Sequence, residues 1–192
     1  MINNLIINNA WATIKDLALN TIGKENKNNS EPSSEWKRKI LLSEHSPIRN
    51  LTIKWMWSNL PYFVSVHFVR HKFGIEHYVK TQRDDRNTSV NQTHLSRENS
   101  PQNTPVNHTC VANAQAIINI SRKRLCNCAS KETREAWQAF LDSFKDKENE
   151  LYNVCVKECI YRGFCPEYKS CGFHKTSDYK NMLSEYRKGI NE

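Results

Sequence analysis

An alternating stretch followed at once by an apolar, helix-forming stretch constrains the fold more than any other feature of this chain. Apolar and polar residues alternate through residues 50–58, a pattern typical of a strand with one buried face. The sequence FVSVHFVRHKFG that follows Pro61 predicts a helix that ends at Gly74, and residues 75–79 are predicted to be extended. We expect an α+β fold, in which helices pack on a mainly antiparallel sheet.

Helical spacing of apolar residues recurs along the chain and completes this architecture. It predicts helices over residues 10–22, 34–42, 111–125 and 130–146, and a solvated helix from residue 176 onwards. Residues 84–108 are polar and poor in large apolar side chains, which predicts a long surface loop. We expect one domain over residues 1–150 and a cysteine-rich extension over residues 151–192 that packs on it.

Charge and composition narrow the function classes. The 192 residues carry a formal net charge of +8, which favours an anionic partner such as a nucleotide. With 5 glycines and neither a GxGxxG nor a P-loop pattern, a glycine-rich phosphate loop is not expected. No stretch approaches the ~20 apolar residues that span a membrane, and no signal-peptide pattern is present. We therefore expect a cytoplasmic protein whose 7 cysteines are reduced thiols or metal ligands.

Three segments carry residue types suited to binding anions and aromatic rings. They are Glu44-His45, then Arg70-His71-Lys72 followed after eight residues by Thr81-Gln82-Arg83, and the helix pair ANAQAIINISRKRLCNCASKETREAW, which contains Asn113, Arg124, Glu132 and Arg134. Together these segments resemble the flavin-dependent thymidylate synthases. That family has a Glu-His pair, then Arg-His-Arg, seven residues and Ser-x-Arg, and later an Asn-x-Arg helix followed by a Trp-Glu-Ile-Arg helix. The resemblance covers roughly residues 36–140.

The resemblance implies a methyltransferase that moves a one-carbon unit from methylenetetrahydrofolate to C5 of dUMP, with FAD as cofactor and NADPH as reductant. It implies a flavin-dependent thymidylate synthase-like fold and a homotetramer with each site built from several subunits; neither a membrane nor a nucleic acid is an expected partner. The residues that it assigns to the flavin are His45, Arg70, His71 and Lys72. The residues that it assigns to the nucleotide are His67, Thr81, Gln82, Arg83 and Arg124, with Thr81 and Arg83 in catalytic positions.

The residue types agree with these roles, although each segment has a simpler interpretation. Arginine and lysine can neutralise a pyrophosphate or a phosphate, and an imidazole can stack on a flavin ring. Taken alone, Arg70-His71-Lys72 is the polar end of a helix, where cations favour the helix dipole. Taken alone, His67 is a core histidine.

Several positions depart from the family pattern. Lys72 replaces an arginine, threonine at 81 replaces serine, and Asp84-Asp85 stand where a tyrosine is usual. Gln115 occupies a position that often holds a nucleotide-binding arginine, and no arginine is found near Asp142, where a second is expected. The departures leave open another pyrimidine nucleotide as substrate, or a hydroxymethylated product.

The cysteine-rich tail supports a rival hypothesis. Cys159, Cys165, Cys171 and His174 form the pattern C-x5-C-x5-C-x2-H, which suits a tetrahedral zinc site, although packed reduced cysteines explain it equally. Cys126 and Cys128 are expected to be structural. With the basic charge, this tail would fit a zinc-containing nucleic-acid-binding module, a class that leaves the three segments above unexplained. No metal ligand is assigned on this pattern alone.

Overall fold

The computed structural model describes residues 1–86 and 97–188. In chain order its strands are β1 (Ile2–Asn8), β2 (Thr52–Pro61), β3 (Ile75–Val79) and β4 (Pro105–Asn113). Its helices are α1 (Trp11–Asn20), α2 (Ser34–Leu42), α3 (Tyr62–Phe68), α4 (Ala114–Arg124), α5 (Lys131–Phe144), α6 (Asn149–Val154), α7 (Glu158–Arg162) and α8 (Ser177–Arg187).

The four strands form one antiparallel sheet in the order β1-β2-β4-β3. β2 and β4 are the central pair, and Trp57 of β2 lies opposite His108 of β4. β3 borders the other side of β4, so that His77 lies opposite Cys110. Helices α3, α4 and α5 contact this sheet, which confirms the prediction of an α+β fold with helices on a mainly antiparallel sheet.

An aromatic cluster joins the sheet to the helices. Trp55 and Trp57 alternate along β2, as the sequence pattern predicts, and neither is more than 2% exposed. The ring of Trp55 stacks on Phe140 of α5 with centroids 3.7 Å apart, and Trp57 stacks on Phe68 of α3 at 4.6 Å. Trp137 of α5 contacts both tryptophans. Because each such ring buries roughly 150–250 Å², this cluster fixes α3 and α5 against the sheet.

A glycine and an asparagine set the junction between β3, β4 and α4. Gly74, just before β3, has φ +73°, and a Cβ added to it would lie 2.8 Å from the side chain of Asn113. The backbone N–H of Asn113 donates to the carbonyl oxygen of Gly74 at 2.9 Å. The Asn113 side chain accepts from the N–H of Ala116 at 2.9 Å and so caps α4. The end of β4 therefore positions both the start of α4 and the segment before β3.

The structure differs from the sequence predictions at three strand and helix boundaries. β1 was not predicted, because its asparagines hide the alternation of Leu5 and Ile7 at the edge of the sheet. β4 shows that the predictions of a loop through residue 108 and of a helix from residue 111 are both wrong. α3 ends at Phe68, not at Gly74, and a turn connects it to β3.

The extension after residue 150 packs on the same core as the rest of the chain. Leu151, Val154 and Ile160 are each at most 2% exposed and belong to the main hydrophobic cluster. α8 forms as predicted and is exposed along most of its length, while Tyr179 and Tyr186 are buried against the core. None of the helices in the described ranges is long and apolar enough to cross a lipid bilayer.

Candidate functional site

Arg124, the last residue of α4, holds together two of the predicted site histidines. Its Nε donates to Nε2 of His71 at 2.8 Å, and its guanidinium also donates to the backbone carbonyl oxygen of His67 at 2.6 Å. The C-terminal ends of α3 and α4 therefore meet at this arginine. The three residues, which lie up to 57 positions apart in sequence, form the centre of one candidate site.

His71 is neutral in this arrangement. Burial, then the positive charge of Arg124 and the neighbouring His77, lower the pKa of His71 to about 4. Because Nε2 of His71 accepts a hydrogen bond from Arg124, the ring proton must be on Nδ1. Nδ1 has no partner among the described residues, so it is an available donor next to a cation.

His67 is oriented by the next helix. Its Nδ1 lies 2.8 Å from the hydroxyl of Thr133, which itself lies 2.7 Å from the hydroxyl of Ser130 at the start of α5. Burial, then the charges of Arg124 and Arg70, lower the pKa of His67. The residue is half-buried, with its ring fixed by a threonine that the sequence analysis did not select.

Arg70 and Lys72 add unpaired positive charge to the same end of the fold. Both side chains are exposed, and neither forms an ion pair with a described residue. Arg70 is close enough to Arg124 to lower the pKa of its guanidinium, after the larger effect of burial. Two neighbouring arginines form a site for an anion, and Glu132 is close enough to His67 to oppose part of the lowering of its pKa. We call Arg70, His71 and Arg124, with His67, the basic cluster.

Thr81, Gln82 and Arg83 lie beyond the opposite end of β3. The strand has 5 residues, which at about 3.3 Å each separates its two ends by roughly 15 Å. The guanidinium of Arg83 binds the carboxylate of Asp85 through two hydrogen bonds of 2.9 and 2.7 Å. Thr81 accepts a hydrogen bond from the N–H of Arg83 at 3.2 Å, and Nε2 of Gln82 is buried without a partner among the described residues. Within one chain these residues do not meet the basic cluster.

His45 lies on another side of α4. Its neighbour Glu44 has φ +51° and binds Arg122 and Gln115, both on α4. His45 itself is half-buried and precedes a 3-10 turn over Ser46–Asn50. None of the hydrogen bonds between described residues joins His45 to the basic cluster. The Gln115 that departs from the family pattern serves here as a partner of Glu44.

The sequence analysis missed a cluster of three side chains behind the basic cluster. His77 of β3 and His108 and Cys110 of β4 place their ligand atoms within 4.8 Å of one another. His77 donates through Nε2 to the carbonyl oxygen of His71 at 2.8 Å, so the two clusters are connected. The alternation of His108 and Cys110 along a strand was the available signal, but the polar composition around residue 108 predicts a loop.

The predicted metal-site residues of the tail share one small cavity. Cys159, Cys165, Cys171 and His174 line about 10 Å³ of space, together with Cys126. Within the described ranges, however, the ligand atoms of these residues do not include a set of three that lie within 4.8 Å of one another. A zinc site in the tail stays a prediction.

A large cavity is lined by none of the four residues of the basic cluster, although Leu125, the neighbour of Arg124, is one of its lining residues. It measures about 660 Å³ and lies between α5, α6 and α8, with Arg38, Arg134 and Lys157 among its lining residues. Its cations already form hydrogen bonds within the chain. Arg134, for example, donates to the carbonyl oxygens of Asn127 and Ala129. We place the candidate site at the basic cluster instead, because Arg70 and the adjacent Lys72 are exposed and form no ion pair with a described residue.

Comparisons with known proteins address the fold. No protein-family model matches the sequence, and no curated protein matches it significantly. Among solved structures, the flavin-dependent thymidylate synthase ThyX from Helicobacter pylori, complexed with FAD and dUMP, matches with a TM-score of 0.61 and 15% identity over 81% of this chain and 100% of that one. The UMP/dUMP methylase PolB from Streptomyces cacaoi, bound with 5-Br dUMP, matches with a TM-score of 0.61 and 11% identity over 84% and 96%. A second ThyX structure from Helicobacter pylori, with FAD and dUMP, matches with a TM-score of 0.60 and 15% identity over 82% and 98%. The chain therefore has the fold of the flavin-dependent thymidylate synthases.

Proposed function

We propose that this protein is a flavin-dependent enzyme that methylates a pyrimidine nucleotide, with dUMP as substrate and dTMP as product. Methylenetetrahydrofolate would supply the carbon and NADPH the electrons. The proposal includes a homotetramer in the cytoplasm, in which residues 1–150 form the flavin-dependent domain and residues 151–192 an extension packed on it. The observation that carries the proposal is the basic cluster, which lies in a fold shared with proteins crystallised with FAD and dUMP.

The chain's own residues fit a flavin dinucleotide. Arg70 and Lys72 offer exposed, unpaired charges to a pyrophosphate, and the Nδ1–H of His71 can donate to a ring or phosphate oxygen. His45 would join them from another subunit, since no contact between described residues brings it to the cluster within one chain. When bound, the flavin would relay electrons from NADPH to the one-carbon unit.

The nucleotide would lie between Arg83 of one subunit and the basic cluster of another. Thr81 and Arg83 would hold it in the catalytic position, with Gln82, His67 and Arg124 as further contacts. The unpartnered amide of Gln82 suits a pyrimidine carbonyl oxygen. These charged donors would polarise the pyrimidine and hold it against the flavin, which makes orientation and electrostatics the main contributions of the protein.

The identity of the substrate and of the product depends on the nucleotide site. The carboxylate of Asp85 forms an ion pair with the guanidinium of Arg83, and Gln115 is bound to Glu44. Two positions of the family's nucleotide site therefore differ here. A different pyrimidine nucleotide, or hydroxymethylation, is the alternative within the same chemistry. The PolB neighbour is described as a UMP/dUMP methylase, so both UMP and dUMP belong in the assay.

An absorbance titration tests the proposal. Purified protein is titrated with FAD and then with dUMP, UMP or no nucleotide, and the flavin spectrum is followed. We expect saturable FAD binding and a spectral change on adding dUMP, and the Arg70→Ala variant should bind FAD at least about tenfold more weakly, as expected for the loss of a charged contact. The matched control is Arg187→Ala, which removes the same charge from α8.

Each outcome has a distinct meaning. A flavin spectrum that responds to UMP but not to dUMP would change the substrate and keep the enzyme class. A spectrum indifferent to every nucleotide would contradict the nucleotide part of the proposal. Absence of FAD binding would contradict the whole proposal and favour the zinc-containing nucleic-acid-binding module. With FAD bound, conversion of dUMP to dTMP in the presence of NADPH and methylenetetrahydrofolate, measured by chromatography, then decides the reaction.

A further inference from the structure

We propose that His77, His108 and Cys110 form a buried binding site for one zinc ion, which fastens β3 to β4 directly behind the basic cluster. His77 lies opposite Cys110 across the two strands, and His108 is two residues from Cys110 on the same face of β4. Cys110 and His108 are fully buried, and His77 is half-buried. This site does not depend on the proposed enzyme activity.

The three ligand atoms have the spacing of one face of a coordination tetrahedron. Nδ1 of His77 lies 3.0 Å from Nε2 of His108, and Sγ of Cys110 lies 3.3 Å from each of these nitrogens. With zinc–nitrogen bonds of about 2.0 Å and zinc–sulfur bonds of about 2.3 Å, tetrahedral ligands lie roughly 3.3–3.5 Å apart. The observed separations need to open by only a few tenths of an ångström to hold the ion.

A count of the protons on His77, His108 and Cys110 shows that their hydrogen-bonding groups cannot all find partners without a cation. Nε2 of His77 bonds to the carbonyl oxygen of His71, which only accepts, so the proton of a neutral His77 is on Nε2 and its Nδ1 has only a lone pair. If Nε2 of His108 donates to that lone pair, the Cys110 thiol has no free ring acceptor left for its own proton. A zinc ion would remove this conflict, because all three atoms can direct lone pairs at it. The ring proton of His108 would then lie on Nδ1, which is buried without a partner among the described residues.

The surroundings of His77 match those of a metal ligand. A metal-bound histidine usually donates its other ring N–H to a carbonyl or carboxylate, and His77 does so to His71 at 2.8 Å. Zinc binding would release the thiol proton of Cys110 to solvent, because the thiolate is the form that coordinates the ion.

Two nitrogens and one sulfur select the kind of ion. Imidazole and thiolate together suit zinc, whereas Mg²⁺ and Ca²⁺ require oxygen ligands. Three protein ligands leave the fourth tetrahedral position for a water molecule or another donor. Because His77 holds the backbone of His71, the ion would also stiffen the turn that carries Arg70 and Lys72.

Cobalt substitution tests the site and reads its ligands directly. Metal-stripped full-length protein is titrated with Co²⁺ in the absence of FAD, and the thiolate-to-cobalt charge-transfer band and the visible bands of tetrahedral Co²⁺ are recorded. We expect one Co²⁺ per chain, displaced by Zn²⁺. We also expect zinc at a hundredfold excess over its Kd to raise the Tm by roughly 5–10 °C.

Variants separate this site from the other thiols of the chain. Cys110→Ser should lose the charge-transfer band, and His77→Gln, at a half-buried position, should weaken Co²⁺ binding by about tenfold or more. The matched control is the double variant Cys165→Ser/Cys171→Ser in the tail, which should keep the band and its affinity. Circular dichroism checks that each variant is folded, and if Cys110→Ser is unfolded, His77→Gln decides.

Three results would overturn the proposal. The first is a band that persists in folded Cys110→Ser or is unaffected by His77→Gln. The second is a band lost in the tail variant, which would move the metal to the cavity near Cys159. The third is a wild-type protein without Co²⁺ or Zn²⁺ binding at micromolar concentrations. FAD binding by the same preparations, whether present or absent, does not change how the metal titration is interpreted.

Discussion

Arg124 is the residue on which the geometry of the basic cluster depends most. It makes hydrogen bonds to His71 and to the backbone of His67, and so joins the ends of α3 and α4. We expect Arg124→Ala to lower the free energy of unfolding by about 2 kcal/mol, because two charge-assisted hydrogen bonds are lost. FAD affinity should fall by about tenfold or more, since His71 loses its orientation. Urea denaturation and FAD titration measure the two effects.

A control on the same helix makes this result specific. Lys123→Ala removes the same charge one residue earlier, from a side chain that is 55% exposed. We expect it to change FAD affinity less than about twofold, because exposed charges contribute little to a local site. Equal losses from Lys123→Ala and Arg124→Ala would mean that general charge, and not the contacts of Arg124, determines binding.

Asp85 competes with a phosphate for the side chain of Arg83. Its carboxylate accepts two hydrogen bonds from the guanidinium, much as a phosphate would, and both side chains are more than half exposed. We expect Asp85→Asn to strengthen dUMP binding by about two- to fivefold, because an exposed ion pair contributes only up to about 1 kcal/mol. Calorimetry on FAD-loaded protein measures the change, which should shrink at high salt. A similar gain from Asp146→Asn, a distant exposed acid, would contradict a local competition.

The helices and strands divide clearly into those that periodicity predicts and those that it does not. β2, α2 and α5 have regular apolar spacing, and their sequence positions hold within a few residues. β1 and β4 were missed or misassigned because polar side chains such as Asn3 and His108 interrupt the pattern, while the pairing partners that stabilise these strands lie at least 29 residues away in the chain. Only the register of the sheet reveals such partners.

The same limit separates the parts of the candidate site. Arg70 and His71 are adjacent in sequence, and Arg124 could be added because its segment resembles a known pattern. The pairing of His77 with His108 depends on strand register across 31 residues, and the hydroxyl of Thr133 reaches His67 across 66. No local pattern carries that information, since it arises only when the sheet and helices have packed.

Glu148 anchors the N-terminal segment to the end of α5. Its buried carboxylate accepts hydrogen bonds from the side chains of Asn9, at 2.5 Å, and Trp11, at 3.0 Å. We expect Glu148→Ala to destabilise the fold by about 3 kcal/mol, because the buried indole N–H of Trp11 and the Asn9 amide lose their acceptor. Chemical denaturation measures this, with Asp146→Ala as the exposed control. A loss below about 1 kcal/mol would show that water replaces the carboxylate.

The charge of Glu148 makes that anchor dependent on pH. Burial raises the pKa of Glu148 above its usual value, against the opposing effect of its two hydrogen bonds. For a carboxyl group with a higher pKa in the folded state, the unfolded chain loses its proton first, so stability falls as the pH rises through this range. We expect the stability of wild type relative to Glu148→Gln to decrease between about pH 4 and 7. An unchanged or growing difference, measured by urea denaturation, would contradict the raised pKa.

At the scale of the whole molecule, the two halves of the candidate site lie at opposite ends of β3. The basic cluster, which includes Arg70, lies at the start of this strand. Thr81 and Arg83 follow its end, about 15 Å away along the strand direction. We therefore expect one nucleotide to contact the two groups from different subunits. A symmetric assembly allows this, because a twofold axis can place the end of one subunit's β3 next to the start of another's.

Mixing two inactive variants tests this arrangement. Arg70→Ala and Arg83→Ala proteins should each lack the dUMP-induced change in the flavin spectrum. If Arg70 of one subunit and Arg83 of another share a site, subunits exchanged at equal amounts should regain about a quarter of the wild-type signal, because a quarter of the sites then receive both arginines. Either variant mixed with the double variant Arg70→Ala/Arg83→Ala cannot form an intact site and should regain nothing. If the first mixture also regains nothing after exchange is verified by mass spectrometry, both arginines act within one chain, and β3 must rearrange when the nucleotide binds.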